Sequence, residues 1–115
     1  MTYSEFFAEI KGKFLEADVS NIKDHLTFQY NIIGEAQGIF YIELKNGKIR
    51  IEPYVYNDRD AMFTCTAETL REIEMGKLDP VDAANDDKIK VEGNIEKAKR
   101  FGELVESHLK AVQGK

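Results

Sequence analysis

The 115-residue chain has no tryptophan, one cysteine and two prolines. No apolar run in it approaches the roughly 18 residues that a membrane-crossing helix requires. A lone Cys65 cannot build an internal disulfide framework, and it fits a reducing compartment. Basic residues are the minority, 16 Lys+Arg against 21 Asp+Glu for a net charge of −5. No basic stripe stands ready to face phosphates, so nucleic acid is not an expected partner. Residues 1–10 lack the basic start and unbroken apolar stretch of a signal peptide, because Ser4, Glu5 and Glu9 interrupt them. The closing Gln113-Gly114-Lys115 is not a peroxisomal address of the Ser-Lys-Leu type. These absences together make the cytoplasm the expected location.

What is present reads as one globular domain over residues 1–115, with 43% hydrophobic residues and enough length for a single core. Charge is unevenly placed: residues 1–87 carry 9 Lys+Arg against 17 Asp+Glu, or −8, and residues 88–115 carry 7 against 4, or +3. The basic end could meet an anionic surface, but a solvated helix face explains it more simply.

Phe6, Phe7, Ile10 and Phe14 recur at helical spacing, which predicts a helix over 4–16 with Ser4 as its cap. The period then becomes two. Leu26, Phe28, Tyr30 and Ile32 alternate with polar residues as a half-buried strand does. Runs at 39–44 and 48–53 flank Lys45-Asn46-Gly47, a tight hairpin, because Asn-Gly readily takes positive φ. Phe40, Ile42 and Leu44 would share a dry face with Ile49 and Ile51, leaving Lys48, Arg50 and Glu52 on a wet one. Residues 61–66 read as a fourth strand, Thr66 as the cap of a helix over 67–75 ended by Gly76, and Asp79-Pro80 as the start of a short helix over 80–85. A fifth strand at 88–93 leads through Gly93-Asn94 into a long last helix, whose stripe is Ile95, Ala98, Phe101, Val105, Leu109 and Val112. Helices cluster rather than alternate with strands, so the class is α+β, with helices on one face of the sheet.

The run Glu74-Met75-Gly76-Lys77-Leu78-Asp79-Pro80, continued by Lys88-Ile89-Lys90-Val91-Glu92-Gly93-Asn94, resembles the signature of the sterol carrier protein type 2 (non-specific lipid-transfer) domain family. Residue-level similarity is concentrated at 74–101, while the element order is similar over nearly the whole chain. The motif also has a mechanical reading: Gly76 ends one helix, Asp79-Pro80 starts the next, and Gly93 turns strand into helix. The resemblance implies a five-stranded mixed sheet with an apolar tunnel between sheet and helices, taking fatty acids, acyl-CoAs, or sterol- or isoprenoid-like lipids. Its lining would come from Phe14, Phe28, Tyr30, Phe40, Ile42, Phe63, Leu70, Ile73, Leu78, Val81, Ala84, Phe101 and Val105. Ala84-Asn85-Asp86-Asp87 departs from the family pattern of bulky apolar residues followed by glycine. That change widens the cavity, or makes its mouth polar and so favours a ligand with a polar head, or simply closes a helix in solvent.

Nothing in the sequence supplies catalysis. His25 and His108 lie far apart with no ligand-spaced Cys or His, Cys65 alternates with Ala61 and Phe63 on an inward strand face, and no nucleophile has a recognisable base. No phosphate loop, dinucleotide fingerprint or Gly-x-Ser-x-Gly elbow occurs. The expectation is a lipid-binding protein that is not an enzyme and uses no cofactor or metal, with transient membrane contact and a partner enzyme as further partners. The competing expectation is an accessory interaction module for an enzyme of lipid or isoprenoid metabolism, with the tunnel filled.

Overall fold

A computed structural model describes residues 1–113, so Gly114 and Lys115 of the C-terminal tripeptide lie outside it. The elements are α1 (Tyr3–Phe14), β1 (Leu26–Ile33), β2 (Gly38–Lys45), β3 (Lys48–Glu52), β4 (Ala61–Thr66), α2 (Ala67–Glu74), α3 (Pro80–Asn85), β5 (Ile89–Gly93), α4 (Ile95–Ala98) and α5 (Phe101–Gln113). The sheet order is β3-β2-β1-β4-β5. The β1–β4 pair is parallel and the others antiparallel, so this is the mixed five-stranded α+β sheet expected.

Local chemistry explains most boundaries. α1 is capped by Thr2, not Ser4. The Thr2 hydroxyl accepts from the Glu5 N–H at 3.2 Å, and the Glu5 carboxylate accepts from the Thr2 N–H at 2.9 Å. A cap at Ser4 would put Phe7 third in the helix, where it could return no bond, so the reciprocal pair decides the start. The Asn-Gly turn forms as read, with Asn46 at φ 54° and Gly47 at φ 75° joining Lys45 to its partner Lys48. This register sets Ile42 against Ile51 and Leu44 against Ile49.

Two further expectations are corrected. The sheet's second face is not uniformly wet: Thr27, Gln29 and Tyr41 are only 2%, 4% and 7% exposed. Residues 53–60 fold across them. Asp60 accepts from the Thr27 N–H at 2.9 Å, the Tyr56 N–H donates to the Gln29 side chain at 3.2 Å, and Tyr56 meets Tyr41 edge-on at 5.1 Å. Buried polar groups on that face are thus hydrogen-bonded rather than hydrated.

The last helix is also not continuous. Between α4 and α5 the backbone bonds are of i→i+3 type, Arg100 N–H to the Lys97 carbonyl at 3.0 Å and Gly102 N–H to the Lys99 carbonyl at 3.1 Å. The chain is thus wound more tightly between the two helices, as in a 3₁₀ turn. α4 packs on β4 and β5, while α5 packs on α1, α2 and α3. Ile95 and Val112, the ends of the expected stripe, stand 50% and 45% exposed.

At the centre, the Phe101 ring meets Phe14, Phe28, Tyr30 and Phe63 with centroids 6.1, 6.3, 5.4 and 5.2 Å away. Tyr30 is stacked between Phe40 at 5.0 Å and Phe63 at 5.2 Å.

Candidate functional site

A hollow of about 310 Å³ opens between the β4–β5 edge of the sheet, α3, α4 and the first turn of α5. Its floor is the cross-strand pair Phe63 and Val91, with Ile89 two residues along β5. Alternation on the two strands aims these side chains to the same side. The wall on α3 is Val81 and Ala84, which share a helix face at spacing three. α3 starts there because the Asp79 carboxylate accepts from the N–H groups of Val81 at 2.8 Å and Asp82 at 3.3 Å, with Pro80 at its first position. The opposite wall comes from Ile95 and Ala98 of α4, then Lys99, Phe101 and Gly102 at the break. Phe101 is buried at the break, while Lys99 is exposed.

The lining is apolar, and its polar members, Asp79, Asn85 and Lys99, sit at its edge. Lys99 makes an exposed ion pair with Glu96 at 3.5 Å, a kind of contact worth about 1 kcal/mol or less. The departure at 84–87 serves two purposes. Ala84 and Asn85 line the hollow, whereas Asp86 ends α3 and Asp87, at φ 57°, turns the exposed chain towards β5.

Of the residues expected to line a cavity, Phe63, Val81, Ala84 and Phe101 come together here. Leu78 and Val105 line an adjoining hollow of about 270 Å³ between the α2–α3 connection and α5. Phe14, Phe28, Tyr30, Phe40, Ile42, Leu70 and Ile73 are fully buried in the packed core beneath β1 and β2, outside the linings of both hollows. Their rings and branched chains fill the space between sheet and helices by contact with one another. Ile89 and Val91 were readable as lining from strand alternation. Asn85 falls in the departure at 84–87 already read as a candidate polar mouth, whereas Ile95, Lys99 and Gly102 flank the break between α4 and α5, which the sequence did not show.

Other reactive groups are placed elsewhere. Cys65 is 2% exposed, and burial pushes its thiol up to about 12, which leaves no thiolate for nucleophilic attack near neutral pH. Burial likewise raises the Tyr30 hydroxyl well above its ordinary value, so it stays protonated. His108 is fully buried, with Nε2 2.8 Å from the Glu74 carboxylate. His25 lies at the surface against Glu43 at 2.7 Å. Among the described residues, no group of three or more His, Cys, Asp or Glu is arranged to hold a metal ion, and no helix is long and apolar enough to cross a membrane.

A mixed sheet covered by helices on one face, with an apolar hollow at the β4–β5 edge, is the architecture of a sterol-carrier-like protein. The chain belongs to the SCP-2 sterol transfer family, which it matches over residues 3–106. Among solved structures, it is similar to palmitated SCP2L2 from Aedes aegypti, with 24% identity, TM-score 0.67, and 91% of this chain and 95% of that one covered. It is also similar to the inverting sec-alkylsulfatase Pisa1 from Pseudomonas sp., with 20% identity, TM-score 0.68 and 80% of this chain covered. This chain spans only 14% of the sulfatase. A third likeness is to UbiJ-SCP2, a ubiquinone synthesis protein, with 12% identity, TM-score 0.59, and 87% and 80% of the two chains covered. At these identities the three likenesses show a shared fold. No curated protein sequence matches the chain.

Proposed function

We propose that this protein binds and transfers lipids, holding hydrocarbon in the hollow between the β4–β5 edge, α3, α4 and α5. Residues 1–115 act as one lipid-binding unit in the cytoplasm, without a covalent step or cofactor. The observation carrying this reading is an apolar hollow of about 310 Å³ with polar groups confined to its rim. Ligand sites run from roughly 300 to 1,000 Å³ and combine apolar walls with a few polar groups that fix orientation. Family membership and the palmitate carried by the Aedes aegypti relative support the same reading. Binding then rests on removing apolar surface from water, at about 0.8 kcal/mol for each methylene buried, or roughly fourfold in affinity.

The test is displacement of a fluorescent fatty acid, combined with native mass spectrometry of the purified protein. Ala84→Trp places an indole across the α3 wall and is expected to reduce uptake while the melting temperature is kept. Absence of uptake by the wild-type protein would refute the proposal. Unchanged uptake by a folded Ala84→Trp protein would remove Ala84 from the site.

A second reading has its own support. The ring-filled region beneath β1 and β2, together with the fold likeness to UbiJ-SCP2, favours an accessory module that binds an enzyme of lipid or isoprenoid metabolism. It predicts a co-purifying enzyme and no fatty-acid uptake.

A further inference from the structure

The segment 53–60 covers Thr27, Gln29 and Tyr41 on the second face of the sheet, whereas Lys45, Lys48 and Arg50 at the β2–β3 hairpin stay exposed. An open hollow of about 390 Å³ lies there, lined by Glu43, Lys45, Asn46, Lys48, Ile49 and Arg50. The register sets Lys45 directly against Lys48, and Glu43 against Arg50. Strand alternation therefore puts the three cations on one face of the hairpin. Lys23 adds a fourth charge beside the turn, since a Cβ built on Gly47 would stand 3.3 Å from its ammonium nitrogen.

Like charges directly opposite one another destabilise a strand pair. Nothing in the fold relieves them. Glu43 faces Arg50 in the register, yet its carboxylate is held by His25 at 2.7 Å and by the Tyr56 hydroxyl at 2.9 Å. Among the described residues, Lys45, Lys48 and Arg50 form no ion pair and no side-chain hydrogen bond. Carboxylates are not scarce in a chain of net charge −5, and Lys90, Lys97, Lys99 and Arg100 each have one. Lysines on an edge strand guard it against pairing with other chains, which accounts for Lys48 on the outermost strand β3. That role does not account for Lys45, which lies on β2 inside the sheet.

We infer that the hollow at the β2–β3 hairpin is an anion site that takes a phosphate group. The planar Arg50 guanidinium suits two phosphate oxygens at once, and Lys45 and Lys48 supply point charges from the two strands. Three unpaired cations match a phosphate monoester or diphosphate better than a single carboxylate, because a phosphate group carries close to two negative charges. The site lies on the other face of the sheet from the apolar hollow, and it stands whether or not lipid binds there.

The experiment titrates the isotope-labelled full chain with sodium pyrophosphate at low ionic strength and follows the backbone amide shifts. It compares the wild-type protein with Lys48→Gln, Arg50→Gln and Lys88→Gln. Lys88 precedes β5 at the opposite edge of the sheet, so its variant removes an equal charge far from the hairpin. The expected result is saturable shifts over residues 43–50, with affinity lower by at least about fivefold in Lys48→Gln and Arg50→Gln and unchanged in Lys88→Gln. Without anion, Lys48→Gln is expected to melt at or above the wild-type temperature, because Lys45 loses a like-charged neighbour. Cosedimentation with phosphatidylglycerol–phosphatidylcholine vesicles then assigns the source of the phosphate. Vesicle binding lost in Lys48→Gln and Arg50→Gln marks a lipid headgroup, and pyrophosphate binding without vesicle binding marks a soluble phosphorylated compound. No pyrophosphate shift at millimolar concentration overturns the site, as does an equal loss of affinity in Lys88→Gln. A lower melting temperature in Lys48→Gln also overturns it, since the lysine then serves the fold.

Discussion

Glu74 on α2 and His108 on α5 have side chains 8% and 0% exposed and meet at 2.8 Å, so each is tolerated in the core because the other is there. The His108 ring also lies 5.4 Å from the Phe14 ring, which fixes its plane between two helices. Removing one partner leaves a buried polar group with nothing to bond, a loss of about 1–3 kcal/mol. Glu74→Ala is expected to lower unfolding stability by that amount in urea titration. The double variant Glu74→Leu, His108→Leu should recover much of it, because replacing both members of a buried polar pair by apolar groups is often close to neutral. In sequence, His108 reads as one residue beside an apolar stripe. Its partner lies 34 positions away, and no local pattern joins them.

Strands and helices were legible wherever a local rule sets them. The Asn46-Gly47 hairpin, the Thr66 cap and the Asp79-Pro80 start all follow from backbone preferences of a few neighbouring residues. Gly93 belongs to this group but carries a further constraint: at φ 99°, a Cβ there would stand 2.6 Å from the Asp60 carbonyl oxygen. The approach is close because Asn94 N–H donates to that oxygen at 2.8 Å and Lys97 reaches the Asp60 carboxylate at 3.1 Å. Gly93→Ala meets both a disfavoured backbone angle and backbone that cannot move aside. We expect a loss of about 2 kcal/mol or more, read from thermal or urea unfolding. The break after Ala98 was not legible, since the stripe from Ile95 to Val112 has unbroken helical spacing. It goes with long-range packing that no local pattern encodes, α4 on the sheet and α5 on three helices.

On the scale of the whole molecule, stability converges on one ring. Phe101 touches aromatic residues from α1, β1 and β4, so it joins the first, middle and last parts of the chain. Phe101→Ala is expected to cost about 3–5 kcal/mol, a large share of the roughly 5–15 kcal/mol that holds a domain folded. Phe101→Asp should leave the chain unfolded at room temperature, as far-ultraviolet circular dichroism would show. Loss of ligand uptake in either variant therefore reports on the fold, whereas Ala84→Trp reports on the hollow.

The amino-acid order alone determined the class, the hairpin, most caps and the element sequence up to the last helix, because these depend on periodicity and on backbone preferences between near neighbours, while the family followed from the resemblance carried by residues 74–101. It also marked which aromatic residues face inward. Only the tertiary structure decided which inward residues fill space and which enclose it. Phe28 and Phe63 look alike in an alternating strand, yet one lies wholly in the core and the other also forms the floor of a hollow. Empty volume depends on how separate elements approach one another, and no single segment of chain encodes that distance.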